Sequence, residues 1–344
     1  MTVTTVVLNY NGLPLLKRFF ASVMWQDYPC NVILMDNAST DGSKDWIRKT
    51  YPQVKVYEST HNWGTAIGYN LGAMGVKSDY LLFLSNDLWL EKNALSEMMK
   101  LMKGNVGIVT CKMLAYSDDV IDKIDNIGGD IDPFGFPQGK YMHDRDFPSV
   151  RDSYKVFNSY GSSMLIKTSL FNELGGYDSK FFTLGDDIDL CWRARLLGYT
   201  VLATPKAVMY HKGSQTLTLN FKRAFLRYEA EKNTLRTLIK NYGLLMLTIT
   251  MPVNMAFLVC EAVYFLLKGK PKLAVAGAKA VVWNIRNLKD TLRARKIVQS
   301  SRKVKDKDIV KEMYKGSFKI DAFVDSISKP KESYDYFTVH NNID

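Results

Sequence analysis

Cysteine is scarce in this 344-residue chain: Cys30, Cys111, Cys191 and Cys260 stand alone, with no C-x-x-C pair. That spacing argues against a cysteine-rich zinc module and for a reducing compartment. Internal repeats and low-complexity tracts are also missing, which removes solenoids and tail-like arrays. No basic n-region followed by a long apolar stretch opens the sequence, because Met1 runs straight into TVTTVVLNY. The expectation is therefore a catalytic part that stays in the cytoplasm. With 47% hydrophobic and 24% charged residues, disorder and collagen-like structure are excluded as well. One large α/β unit with an extension, or two domains, remain.

Charge of one sign is lacking everywhere except in one place. Residues 268–311 hold 14 Lys and Arg against 3 Asp and Glu, so this stretch alone accounts for the net charge of +11. Such a segment suits a polyanion, either nucleic acid or an anionic membrane surface. The preceding stretch, LLMLTITMPVNMAFLVCEAVYFLL at 244–267, favours the membrane: its length permits a single crossing. Pro252, Asn254 and Glu261 lie inside it, and an interfacial or re-entrant helix tolerates them better than a span does. Leu273, Val275, Val281, Trp283, Ile285 and Leu288 among the following bases suit an amphipathic helix on anionic lipid. The competing reading is a core or dimer helix of a soluble protein, which leaves a homo-oligomer open. Nucleic acid is not expected, because no basic motif with interleaved stacking aromatics is present.

The first 112 or so residues alternate short apolar runs (TVVLNY, NVILMD, VKVYES, DYLLFLS, VGIVTC) with helical patterns at 13–25, 43–50, 65–76 and 91–102. That β-α-β-α rhythm predicts a mostly parallel sheet covered on both faces. Residues 115–155, rich in Asp, Gly and Pro, read as a loop or hairpin excursion near a site. A strand at 161–166, a helix at 187–197 and a strand at 199–203 follow, and the pattern is helical from 219 onward.

In a doubly wound sheet, ligands gather beyond the carboxyl ends of the strands. Here those ends carry Asn9-Tyr10-Asn11-Gly12, Asp36-Asn37-Ala38-Ser39-Thr40-Asp41-Gly42-Ser43 and Ser85-Asn86-Asp87. Taken singly, each is an unremarkable Asx turn or helix cap, and LGDDIDLCWRARLLGY is an ordinary helix with an acidic first turn. Their joint order is more specific. VVLNYNG, VILMDNASTDGS, HNWGTAIGYNLG, LLFLSND, GSSMLIKTSLFNELGGYDSKFFTLGDDIDLCWRARLLGY and HKGS together resemble the family 2 glycosyltransferases of the GT-A fold, with a rhamnosyltransferase-like character. The likeness covers residues 3–215, with weaker similarity in the helical tail.

The resemblance implies a Rossmann-like GT-A catalytic domain over 1–217, with a nucleotide-sugar half at 1–112 and an acceptor half at 113–217. A hydrophobic, then basic membrane-associating region at 218–311 and a polar tail at 312–344 follow. Asp36 and Asn37 match positions for the base and ribose, with Asn9, Tyr10 and Asn11 lining the same pocket. Gly64 and Asn70 match a loop and helix beneath the nucleotide. Ser85-Asn86-Asp87 falls on the D-x-D position, where Asp87 and a downstream His211 imply a Mg²⁺ or Mn²⁺ site. Asp187 falls on the catalytic base, and Asp186, Trp192 and Arg193 on acceptor contacts. Like charges at Asp186, Asp187 and Asp189 would raise at least one carboxyl pKa. The implied activity is inverting transfer of a sugar from a nucleoside diphosphate (a UDP- or dTDP-sugar, dTDP-rhamnose among them) to a lipid-linked or cell-surface glycan at the cytoplasmic membrane face, peripheral, monotopic or singly spanning. Ser85, in place of an aspartate, keeps a non-catalytic nucleotide-sugar or glycan-binding relative in view. A nucleotidyltransferase would need a Gly-rich, basic phosphate loop after the first strand, which NYNGLPLLKR lacks.

Overall fold

The computed structural model describes residues 1–116, 123–142, 150–159, 163–212 and 221–328. Strands β1 (Val3–Asn9), β2 (Asn31–Asp36), β3 (Lys55–Glu58) and β4 (Tyr80–Ser85) are linked by helices α1 (Leu13–Met24), α2 (Ser43–Thr50) and α3 (Gly64–Ala73). Each of these strands pairs in parallel with its sheet neighbour, in the spatial order β4-β1-β2-β3. β5 (Leu88–Leu90), α4 (Ala94–Met99), β6 (Val106–Ala115), β7 (Ile124–Ile127), β8 (Gly129–Ile131), β9 (Pro137–Gly139), β10 (Tyr154–Lys155), β11 (Ser163–Lys167), α5 (Thr168–Glu173), α6 (Asp186–Leu196) and β12 (Thr200–His211) complete the first half. The full order is β10-β12-β6-β11-β4-β1-β2-β3. The parallel reading holds for the first four strands. Beyond them β11 runs antiparallel between β4 and β6, and β8 and β9 form a separate hairpin within the 115–155 excursion.

Alternation of side chains along each strand feeds two cores. Val3, Val7, Leu34, Leu82 and Leu84 pack with residues of α1, α2 and α4 on one face. Val6, Met35, Leu81 and Phe83 pack with α3, α5 and α6 on the other. The C-terminal helices are α7 (Arg223–Asn241), α8 (Leu244–Leu267), α9 (Pro271–Arg286), α10 (Leu288–Ser301), α11 (Asp306–Lys311) and α12 (Phe318–Ser328), and a third core, around Trp192, Leu238 and Tyr242, joins α6 to α7, α8, α10 and α11.

Two of the expected regions pack closely on the sheet domain. α7, expected in the membrane-associating region, buries Glu229, Glu231, Lys232, Asn233, Arg236 and Lys240 and meets α6 through Lys240 and Asp189. The polar tail is likewise anchored at its start, where Met313, Ser317, Phe318 and Lys319 are buried and the Phe318 backbone N–H donates to Asp132 Oδ2 at 3.0 Å. Residues 329–344, and Gly161 of the strand expected at 161–166, lie outside the described residues.

Candidate active site

The carboxyl ends of β1, β2 and β4 meet in a polar floor. Asn9 and Asp36 are completely buried, and Asn9 Nδ2 donates to Asp36 Oδ2 at 3.0 Å and to Ser39 Oγ at 3.1 Å. Asn86 Nδ2 donates to Asn9 Oδ1 at 2.6 Å, and the Ser39 backbone N–H to Asp36 Oδ1 at 2.8 Å. Asn37 Nδ2 reaches the Gly64 carbonyl at 3.0 Å, and its Oδ1 accepts from the Trp63 N–H at 3.1 Å. Gly12 leaves room for this knot: a Cβ there would sit 2.0 Å from Asn86 Nδ2. Buried polar groups satisfied in this way hold one geometry. Asn9 and Asp36, expected to line the nucleotide pocket, are both fully buried in this floor. Tyr10 and Asn11 reach the surface above them. The backbone bends sharply at this rim: Asn11 and Ala38 have φ of 48° and 68°, a region costly for residues with a Cβ and concentrated at functional sites.

Asp87 and His211 come together by register. β5 begins one residue after Asp87 and pairs antiparallel with β12, placing His211 opposite Leu88. His211 Nε2 lies 3.4 Å from Asp87 Oδ2, and Nδ1 lies 2.8 Å from Asp125 Oδ2 on β7. Ser85 Oγ donates to Asp87 Oδ1. Burial opposes charge on both groups, yet the pair overcomes it. The His211 charge and the His211 and Ser85 hydrogen bonds hold the Asp87 carboxyl below its usual range, and Asp87 and Asp125 raise the imidazole pKa well above its ordinary value. No group of three or more His, Cys, Asp or Glu side chains arranged to hold a metal ion exists among the described residues.

α6 brings the third contribution. Its N-terminus follows a tight turn in which Leu184 has φ of 65° and Gly185 of 77°. Asn233 of α7 clamps that turn, with Nδ2 donating to the Thr183 carbonyl at 2.8 Å and the Leu184 carbonyl at 2.7 Å. Asp186 turns inward, accepting from Thr65 Oγ1 at 2.7 Å, and burial raises its pKa. Asp189 is fully buried; desolvation works against its charge, but Arg193 and Lys240 hold its carboxyl below the usual range. The expectation of one raised carboxyl in this trio is met at Asp186, with burial as the leading cause. Asp187 alone of the three is half-exposed. Both acidic segments adjoin the floor: Thr65, which donates to Asp186, follows Gly64, whose carbonyl accepts from Asn37, and Asp87 follows Asn86, which donates to Asn9.

Several expected contacts are corrected. Trp192 is completely buried, edge-on to Phe157 and Tyr242, so it meets the core and no acceptor. Arg193 is spent on Asp189 at 2.8 Å and on the Leu174 and Gly176 carbonyls. The Asp186 carboxylate, also assigned to the acceptor, belongs to Thr65. Asn70, expected in a helix beneath the nucleotide, bonds the Tyr177 backbone in both directions at 2.9 Å. Gly64 has φ of 79°, and a Cβ there would lie 1.9 Å from the Phe182 carbonyl oxygen; it lets α3 touch the segment leading to α6. Asp125, Thr65 and Asn233 escaped sequence reasoning. The Asp-rich 115–155 stretch hinted at the first, but nothing local marks the other two.

A family model described as "Glycosyl transferase family 2" matches residues 4–175, half of the chain. The chain is 25% identical over 244 residues to the N-acetylglucosaminyl-diphospho-decaprenol L-rhamnosyltransferase of Mycobacterium tuberculosis, covering 61% of this chain and 76% of that protein. It is 28% identical over 180 residues to the poly(ribitol-phosphate) beta-glucosyltransferase of Bacillus spizizenii, covering 50% of this chain and 26% of that one. Among solved structures, the Pyrobaculum calidifontis mannosyltransferase PcManGT in complex with GDP-Man and Mn²⁺ aligns with a TM-score of 0.50 at 19% identity, over 84% of this chain and 87% of that one. S. aureus TarS 1–349 in complex with UDP-GlcNAc aligns with a TM-score of 0.52 at 14% identity, over 87% and 91%. These structures share the fold: a GT-A-type α/β sheet domain followed by helices. With the strand-end floor and the α6 turn in the order the sequence motifs require, the chain belongs to glycosyl transferase family 2.

Proposed function

We propose that the protein transfers a sugar, with inversion, from a nucleoside diphosphate donor to a lipid-linked or cell-surface glycan at the cytoplasmic face of the membrane. The observation that carries this reading is that Asp87, His211 and the Asp186–Asp187 pair, from three separate stretches, adjoin one polar floor: Asp87 follows Asn86, which donates to Asn9, and Asp186 accepts from Thr65, next to the Gly64 carbonyl that Asn37 holds. Tyr10 and Asn11 stand at the rim where a base and ribose would enter, and the buried Asn9–Asp36–Asn86 knot keeps that rim fixed. The rhamnosyltransferase relative supports a lipid-linked acceptor, and the donor carried over from the sequence reading is a UDP- or dTDP-sugar, dTDP-rhamnose included.

The residues fit a divalent cation of the Mg²⁺ or Mn²⁺ type. Asp87 supplies a hard oxygen, and His211 turns Nε2 toward it while Asp125 orients the ring through Nδ1, an arrangement typical of metal-binding histidines. Asp87 and His211 would hold the ion, which when bound offsets charge on the departing diphosphate. Ser85 is not an acidic ligand here; its hydroxyl orients Asp87. Asp187 takes the proton from the acceptor hydroxyl as its oxygen bonds to the anomeric carbon and the nucleoside diphosphate leaves from the opposite face. Its neighbours Asp186 and Asp189 are buried, whereas Asp187 is half-exposed at the start of α6.

The test is nucleotide release from a panel of UDP-, dTDP- and GDP-sugars with a lipid-linked acceptor, in Mn²⁺ and then EDTA. Turnover should vanish in EDTA and return with Mn²⁺. Asp187→Asn should lower it about 10²–10⁴-fold while donor binding, read by calorimetry, survives. Near-normal turnover in that variant removes Asp187 as base, and donor binding without any consumption favours the non-catalytic reading that Ser85 motivates.

A further inference from the structure

We infer that the outward faces of α8, α9 and α10 form a docking surface for an anionic lipid bilayer, on which α8 lies in the membrane plane and does not cross it. This deepens the membrane placement proposed above and rests on it, but not on the transfer chemistry.

α8 is long and apolar enough to span a membrane by length and composition. Its 24 residues measure about 36 Å. Its polarity is inverted. Thr250, Asn254, Leu258, Glu261 and Phe265, spaced four, four, three and four apart, form the buried stripe. The opposite stripe is aliphatic: Leu245, Ile249, Val259, Val263 and Leu266 are each more than half exposed. A surface helix in water has the reverse arrangement, and a contiguous apolar patch of this kind marks an interaction site.

The buried stripe also shows why the helix cannot cross. Asn254 Nδ2 donates to the Phe134 carbonyl at 3.1 Å, and Phe257 packs edge-on against Phe134 and Phe136. Glu261 Oε2 lies 2.6 Å from Arg227 Nη2 of α7 and 3.0 Å from Lys319 Nζ of α12, and Lys319 also reaches Glu231 at 2.8 Å. These contacts run from residue 254 to residue 261, the middle of the helix. Inserting α8 through a hydrocarbon core about 30 Å thick would carry Arg227, Glu231 and Lys319 into it or tear them from Glu261.

Charge selects the occupant. Along α9 and α10, exposed Val275, Val282, Ile285, Leu288, Leu292 and Ile297 alternate with exposed Lys272, Lys279, Arg286, Lys289, Arg293 and Lys296. The one acidic residue of these two helices, Asp290, is paired with Arg236 at 2.9 Å. A second copy of the chain would oppose cations to cations across such a face. Anionic headgroups complement it, at about 1 kcal/mol per cation near the surface. The 132–136 turn of the acceptor half packs against α8, so docking sets that half beside the bilayer.

Exposed Cys260 sits on the outward stripe and serves as a reporter. The full chain is floated with vesicles of phosphatidylcholine alone and of equal parts phosphatidylcholine and phosphatidylglycerol. Nitroxide depth is then read at Cys260 and, in a Cys260→Ser background, at cysteines replacing Ile249, Ala256 and Val263. The expected result is binding that requires phosphatidylglycerol, falls about tenfold or more in Lys272→Glu/Lys279→Glu, and places all four labels at one shallow depth, about 5–10 Å into the headgroup and acyl boundary. A depth that changes by about 1.5 Å per residue from 249 to 263 overturns the in-plane geometry while the membrane placement stands. Absence of flotation, or a vesicle-free dimer that shields Cys260, overturns the docking surface itself.

Discussion

At the carboxyl ends of the sheet, the strand ends are tied by amides and hydroxyls, with Asp36 the one carboxylate among Asn9, Asn37, Ser39 and Asn86. Where α7 meets α6 and the segment before it, buried ion pairs appear: Lys240 lies 2.9 Å from Asp189, and Arg236 lies 2.9 Å from Asp178. The first network fixes shape with a single acidic side chain. Opposite charges in the second clamp a helix from the C-terminal part onto the helix that presents Asp187. The contrast assigns the two regions different duties. One is a floor, and the other is a brace whose loss would separate the acidic turn from its support.

Breaking the brace should cost most. Asp178→Ala leaves Arg236 and Lys240 short of a buried partner, and the expected destabilisation is about 3–5 kcal/mol by urea unfolding at neutral pH. Its pH dependence follows from sign. Burial disfavours the Asp178 charge, but Lys240 and Arg236 outweigh that and hold its carboxyl well below the ordinary range. The ionic contribution is therefore fully present above the unfolded value of about 3.9 and is lost as pH falls below it, so the gap between wild type and Asp178→Asn should narrow on acidification through that region.

Loosening the clamp on the turn sharpens the comparison from the catalytic side. Asn233→Ala should lower kcat by up to about 10²-fold with donor KM nearly unchanged, because the acidic turn drifts while the donor floor is intact. An equal rise in KM would assign Asn233 to general packing. In the floor, Asn9→Ala strips donors from Asp36 and Ser39 and an acceptor from Asn86. A loss of about 1–3 kcal/mol is expected, smaller than for the ionic brace, together with weaker donor binding in calorimetry.

Much of the donor half was legible in the sequence, for a physical reason. Apolar strands that end in Asn, Asp and Ser must turn there, and turns at strand ends are where an α/β sheet holds ligands. The pairing of β5 with β12 was not legible. It rests on a register set more than a hundred residues apart in sequence, and it alone explains why His211 meets Asp87. The α7 helix misled in a different way. RAFLRYEAEKNTLRTLIKN reads as part of the membrane-associating region, and only the placement of Asp178, Asp189 and Glu261 shows that Arg236, Lys240 and Arg227 are satisfied inside. Trp192 and Arg193 were drawn to the acceptor by their motif position, whereas helical periodicity from Asp189 turns both toward α7 and the core.

The antiparallel match between Leu88 and His211 also bears on how this chain can change in length. Side chains alternate across a strand, so one residue inserted between Val208 and His211 would turn the imidazole to the far side of the sheet and leave Asp87 facing an unrelated group. Lineages descending from such a sequence can lengthen the exposed turn at 74–77 far more freely than the last few positions of β12, where a single-codon insertion would part the imidazole from Asp87.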